Sequence, residues 1–133
     1  MTLNAIHFDV ATLLSDNGLG QIGNDLFGGE WLSGKDQQTL VLDGVGVPSD
    51  LKDSFEQPAV QILVRGDKNE ASRFVYQRAK EIYDFLVTTS ESVTINNTEY
   101  KGFEPGSNIA TLGKDDNERH IYSMNFTTYR AAI

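Results

Sequence analysis

The chain has 133 residues, no cysteine, and 19 acidic against 11 basic side chains, for a net charge of −8. That length fits one domain able to bury about two-thirds of the surface its unfolded chain exposes. The absence of thiols excludes disulfides and thiolate metal sites and fits a reducing compartment. The acidic balance, with its eleven cations scattered from Lys35 to Arg130, argues against tight binding to a phosphate backbone.

No apolar run approaches the ~20 residues of a membrane-spanning helix. The first nine residues carry no basic patch ahead of an apolar segment, so no signal peptide is expected. Residues 3 to 14 place Leu3, Ile6, Val10, Leu13 and Leu14 at helical spacing, with Asp9 and Thr12 expected outward and Gly18 closing the helix. Residues 17 to 36 are glycine-rich, and Asn24–Phe27 with Glu30–Leu32 read as a short hairpin or an ordered loop. Thr39–Asp43 reads as a strand, and Pro48–Pro58 as a surface connection.

Val60–Val64 is the strongest strand signal. A helix is predicted over 67–88, with Asp67 and Glu70 as a capping box. Its apolar stripe is Ala71, Val75, Ala79, Ile82 and Leu86, widened by Phe74 and Phe85. Ser92–Ile95 and Thr98–Phe103 form a hairpin about Asn96-Asn97, since asparagine tolerates positive backbone angles. Ile109–Leu112 is a short strand and Gly113–Glu118 a polar turn. The last strand turns Tyr122, Met124 and Phe126 to one face and Ser123, Asn125 and Thr127 to the other. The sum is α+β: a mostly antiparallel mixed sheet with two helices packed on one face, in a single domain spanning residues 1–133.

Catalytic patterns fare poorly. Gly18-Leu19-Gly20-Gln21-Ile22-Gly23 matches G-x-G-x-x-G, but a dinucleotide fingerprint follows a strand and opens a helix, whereas these glycines follow a helix. His7 and His120 are the only histidines, with no third partner for a triad or a metal site. Asp115-Asp116-Asn117-Glu118 lacks the ligand spacing of a calcium loop. No catalytic, cofactor-binding or metal residues are assigned. Phe27, Trp31 and Leu32, large apolar side chains among glycines, stand out instead as a satellite core or a contact surface.

From Pro58 onward the chain resembles the minor capsid and tail-terminator proteins of tailed bacteriophages. The features that carry the likeness are Pro58–Gly66, the helical Ala79–Leu86, Val93–Asn96, Leu112–Arg119 and the strand Tyr122–Phe126. It covers about residues 58 to 130, with no specific match over 17–57. The resemblance implies a structural virion protein, not an enzyme. It would form a homo-oligomeric ring of about six subunits that ends tail-tube growth and joins the tail to the head connector. Its partners would be further copies of itself, the tail-tube protein and the connector, with DNA passing through the lumen. It would assemble in the host cytoplasm and reside at the head-proximal end of the tail. Phe27, Trp31, Leu32, Lys114, Asp115 and Arg119 are the candidate contact residues. A head-completion stopper role is the alternative, and a nucleotide-binding enzyme using the 18–23 loop a more distant one.

Overall fold

A computed structural model describes residues 4–44, 56–89 and 92–132. The sequence expectations for Leu3 and for most of the Pro48–Pro58 connection lie outside these residues. The elements, in chain order, are α1 (Ile6–Asp16), β1 (Leu26–Gly28), β2 (Gln38–Asp43), β3 (Ala59–Arg65), α2 (Ser72–Thr88), β4 (Ser92–Ile95), β5 (Thr98–Pro105), β6 (Ala110–Lys114) and β7 (His120–Ala132). The strands form one sheet in the order β1-β2-β3-β7-β5-β4, with β6 added to β7. Among the strands of the described residues only the β1–β2 pair is parallel. This is the expected α+β architecture.

The spine is β7. Its residues 121–127 pair with β3 along one edge, while β6 and then β5 share the other edge. Its alternation places Met124, Phe126, Thr128 and Arg130 on the covered face, all buried. Both helices pack there: α1 against β1, β2, β3 and β4, and α2 against β3, β5 and β7. The period-3.6 stripes meet the period-2 rows of the sheet, Val10, Leu13 and Leu14 from α1 and Val75, Ala79, Ile82 and Leu86 from α2. They join Val41, Val60, Ile62, Val64, Tyr100 and Phe126 in one contiguous cluster. Each buried Val, Leu, Ile or Phe side chain among them contributes about 1.5–3 kcal/mol.

Helix α1 ends as its glycine suggests. Gly18 takes φ 75°. Its amide donates to the Ser15 carbonyl, and the Leu19 amide donates to that of Leu14, the paired bonds of a Schellman closure. The Asn96-Asn97 turn likewise takes φ 48° and 61°, as the hairpin requires.

Four local readings are corrected. The 24–32 segment forms no hairpin, because Leu26–Gly28 runs parallel to β2 and only then does the chain loop back. Helix α2 begins at Ser72, after Ala71, with no side-chain cap. Glu70 instead accepts the Asp67 amide at 2.9 Å and pairs with Arg78 at 2.5 Å, so the capping pattern closes a turn ahead of the helix. Phe74 is an exposed residue and leaves the apolar stripe. Asp9, expected to face solvent, is fully buried.

The Asp9 reversal has a definite physical cause. Its carboxylate accepts from Asn96 Nδ2 at 2.8 Å, from Asn4 Nδ2 at 3.3 Å and from the Tyr100 hydroxyl. Arg130 Nη1 donates to that hydroxyl at 3.2 Å and to the Asn4 carbonyl at 2.7 Å, while its Nε meets Glu56 at 2.9 Å. A buried carboxylate is tolerated where donors converge on it. Here they come from Asn4 just ahead of α1, from the β4–β5 turn and from β5, and helix periodicity shows none of them.

Candidate functional site

On the sheet face away from the helices, β2 and β3 carry Gln38, Leu40, Leu63 and Arg65, in register as Gln38 with Arg65 and Leu40 with Leu63. The loop between β1 and β2 folds over this face. Gln38 pins it: its carboxamide nitrogen donates to the Leu32 carbonyl at 2.6 Å and to that of Lys35, and its oxygen accepts the Leu32 amide at 2.9 Å. Arg65 donates from Nε to the Asp36 carbonyl at 2.9 Å and from Nη2 to the Lys35 carbonyl at 2.7 Å. Its guanidinium carbon lies 4.1 Å from the Trp31 ring centroid, a cation–π stack. Burial lowers the Arg65 pKa, and the neighbouring Arg119 charge lowers it further.

A second loop closes on the first. Asp115 accepts the Asn117 amide at 2.9 Å, the Arg119 amide at 3.0 Å and Arg119 Nε at 2.8 Å. Arg119 Nη1 then reaches Asp36 at 2.9 Å, tying the β6–β7 turn to the β1–β2 loop. Burial works to raise the Asp115 carboxyl, but the two amides and the guanidinium outweigh it and hold the group below its ordinary value. Arg119 moves the other way: burial opposes its charge, and the two aspartates raise its pKa despite that.

Between the loops lies an open cleft lined by Trp31, Leu32, Ser33, Gly34, Arg65, Asn117 and Arg119. The sequence candidates Trp31, Leu32 and Arg119 thus share one surface, and Asp115 orients Arg119. Lys114 stands beside them, its Nζ 3.3 Å from Glu118 across the turn. Phe27 sits apart on β1, half-buried, in register with Leu40 and outside the cleft lining. Sequence reasoning missed Gln38, Asp36 and Arg65. Arg65 had a readable signal, as the cation that ends the alternation Gln61, Leu63, Arg65 on the face opposite Val60, Ile62 and Val64.

A second surface lies at α1, where His7, Phe8, Ala11, Ile22 and Gly28 line a shallow apolar pocket and Phe8 and Ile22 are exposed. His7 is held by Asp43, which accepts its amide and meets Nδ1, both at 3.0 Å. Asp43 thereby serves a free amide at the start of α1, where a negative charge is favoured by the helix dipole. The glycines at 18–23 lie between α1 and β1, so no helix N-terminus follows them to receive a phosphate. Among the described residues no group of three or more His, Cys, Asp or Glu side chains is placed to hold a metal ion.

This face presents an indole and a stacked guanidinium in a cleft whose walls are braced by ion pairs. A protein-family model described as bacteriophage tail terminator protein matches residues 13–130, and the chain belongs to that family. It is therefore a structural component of the phage virion that assembles with other tail or head proteins. No curated protein matches the chain.

Proposed function

We propose that the chain acts as one domain and forms a homo-oligomeric ring of about six copies at the head-proximal end of the tail tube. The ring ends tube polymerisation and joins the finished tail to the head connector, leaving a lumen through which DNA passes. The family match over 13–130 carries this reading. The sheet adds support: β1 and β4 lie at its two ends, and among the described residues β6 pairs only with β7. Unpaired strand edges invite pairing with neighbours, and a closed ring removes them. A net charge of −8 favours a lumen that DNA crosses without adhering. The cleft residues Trp31, Leu32 and Arg119, with Lys114, Asp115 and Phe27, are the proposed contacts to tube, connector or neighbouring copy.

The test is polymerisation of the phage's own tail-tube protein with and without this chain, followed by electron microscopy. Tubes that stop growing and carry a ring at one end are expected. Tubes of unchanged length with bare ends would overturn the reading.

A further inference from the structure

The cleft contains a guanidinium that no carboxylate of the described residues contacts, with Asp115 and Asp36 acting on it only from farther off. Arg78 is paired with Glu70, Arg119 with Asp36 and Asp115, and Arg130 with Glu56. Arg65, only 4% exposed, has no carboxylate within ion-pairing distance among the described residues. Its partners are two backbone carbonyls and the Trp31 ring. Carbonyl dipoles and an indole face solvate a guanidinium, but they do not neutralise it. Nη1 makes no hydrogen bond to the described chain, and no buried side-chain nitrogen there is left without a partner. The free donors of Nη1 therefore open to the cleft that Arg65 lines.

We propose that this cleft is a docking site for an acidic segment of a partner protein, an aspartate or glutamate flanked by an apolar side chain. The carboxylate meets the free edge of Arg65, whose planar fork suits it. Trp31 and Leu32, the latter 44% exposed, receive the apolar neighbour. A nucleic-acid backbone suits the site less well. Its successive phosphates would run into Asp36, Asp115 and the exposed Asp116 and Glu118 at the rim, on a chain already at −8. The proposal rests on the assembly role only for the identity of the partner.

Trp31 is the single tryptophan, so its fluorescence reports on the cleft alone. The full-length chain is titrated with a capped leucine–glutamate–leucine tripeptide, with its glutamine counterpart, and with a thymidine oligonucleotide. Trp31 emission and the side-chain Nε–H resonances of Arg65 and Arg119 are followed, with Arg78 and Arg130 as internal controls. The glutamate peptide should shift both cleft arginines saturably, with at least about tenfold stronger binding than the glutamine peptide. Arg65→Gln should abolish the response. Should that variant fail to fold, the resonances of the unaltered chain decide. The proposal is overturned if neither arginine responds, if both peptides act equally, or if the oligonucleotide shifts them at lower concentration than the glutamate peptide. These titrations do not depend on ring formation, so a failure here leaves the tail-terminating ring standing.

Discussion

Removing one oxygen from the core should reveal what holds α1 to the far end of the sheet. Tyr100 is fully buried. Its hydroxyl donates to Asp9 and accepts from Arg130 at 3.2 Å. Tyr100→Phe preserves the ring and its stacking on Phe103 but takes a donor from a buried carboxylate and an acceptor from a buried guanidinium. Asp9 keeps Asn96 and Asn4, and Arg130 keeps Glu56 and the Asn4 carbonyl, so neither charge is orphaned. The loss is then that of a hydrogen bond to a charged group plus partial desolvation, about 2–4 kcal/mol. For a chain of this length that is a fall in Tm on the order of 8–15 °C. Urea unfolding of the variant, of Asp9→Asn and of the double variant would measure it, with a coupling between the two sites of about 0.5–3 kcal/mol. A loss for Tyr100→Phe below about 0.5 kcal/mol, the level of an ordinary surface change, would refute the reasoning.

The same phenol should resist ionisation, because burial and then the Asp9 carboxylate push its pKa well above the ordinary value. The folded chain holds this proton more tightly than the unfolded one. Its stabilisation is therefore complete below pH 10.0, the ordinary value, and is lost as pH rises toward the folded value; ultraviolet titration should show one tyrosine ionising only on unfolding. In acid the signs reverse. The Arg78 hydrogen bond holds Glu70 below its ordinary 4.5 despite burial, and Asp115 is likewise depressed, so their stabilisation is complete above pH 4.5 and fades as pH falls through the lowered values. The urea midpoint should drop across that range, and less steeply in Glu70→Gln. Gly66→Ala would bring a Cβ to 2.5 Å from Val75 Cγ2 and 2.7 Å from Glu70 Oε1, and overpacking of this kind should destabilise by about 1–3 kcal/mol in thermal melts. Asn97→Ala, at φ 61°, should lose about 1 kcal/mol, while Asn97→Gly should be close to neutral by the same measurement.

The parts of the fold that were legible in the sequence are those governed by period and turn chemistry. Val75, Ala79, Ile82 and Leu86 recur at helical spacing and all lie in the core, and Met124 with Phe126 alternates as a half-covered strand must. Asn96-Asn97 marks its hairpin because few residues accept two consecutive positive φ values. Pairing between distant segments was not legible. Asp9 looks like a solvent-facing helix residue until Asn96 and Tyr100 arrive from more than eighty residues away. The capping pattern at Asp67 and Glu70 has the right residues, but Arg78 claims the glutamate and the helix starts later. In the cleft, Trp31 and Leu32 stand out as large apolar side chains among glycines, and Arg119 as the basic end of the Leu112–Arg119 stretch that carries the family resemblance. Their convergence depends on Gln38 and Asp36, polar residues whose importance comes from which loop they hold, and no local pattern records that.

The measurement closest to the central claim is the solution mass of the purified chain by light scattering, alone and with the phage's tail-tube protein. A ring of about six subunits, or a monomer that assembles into one on the tube, is the predicted result. A chain that stays monomeric in both conditions and leaves the tube protein unbound would contradict it.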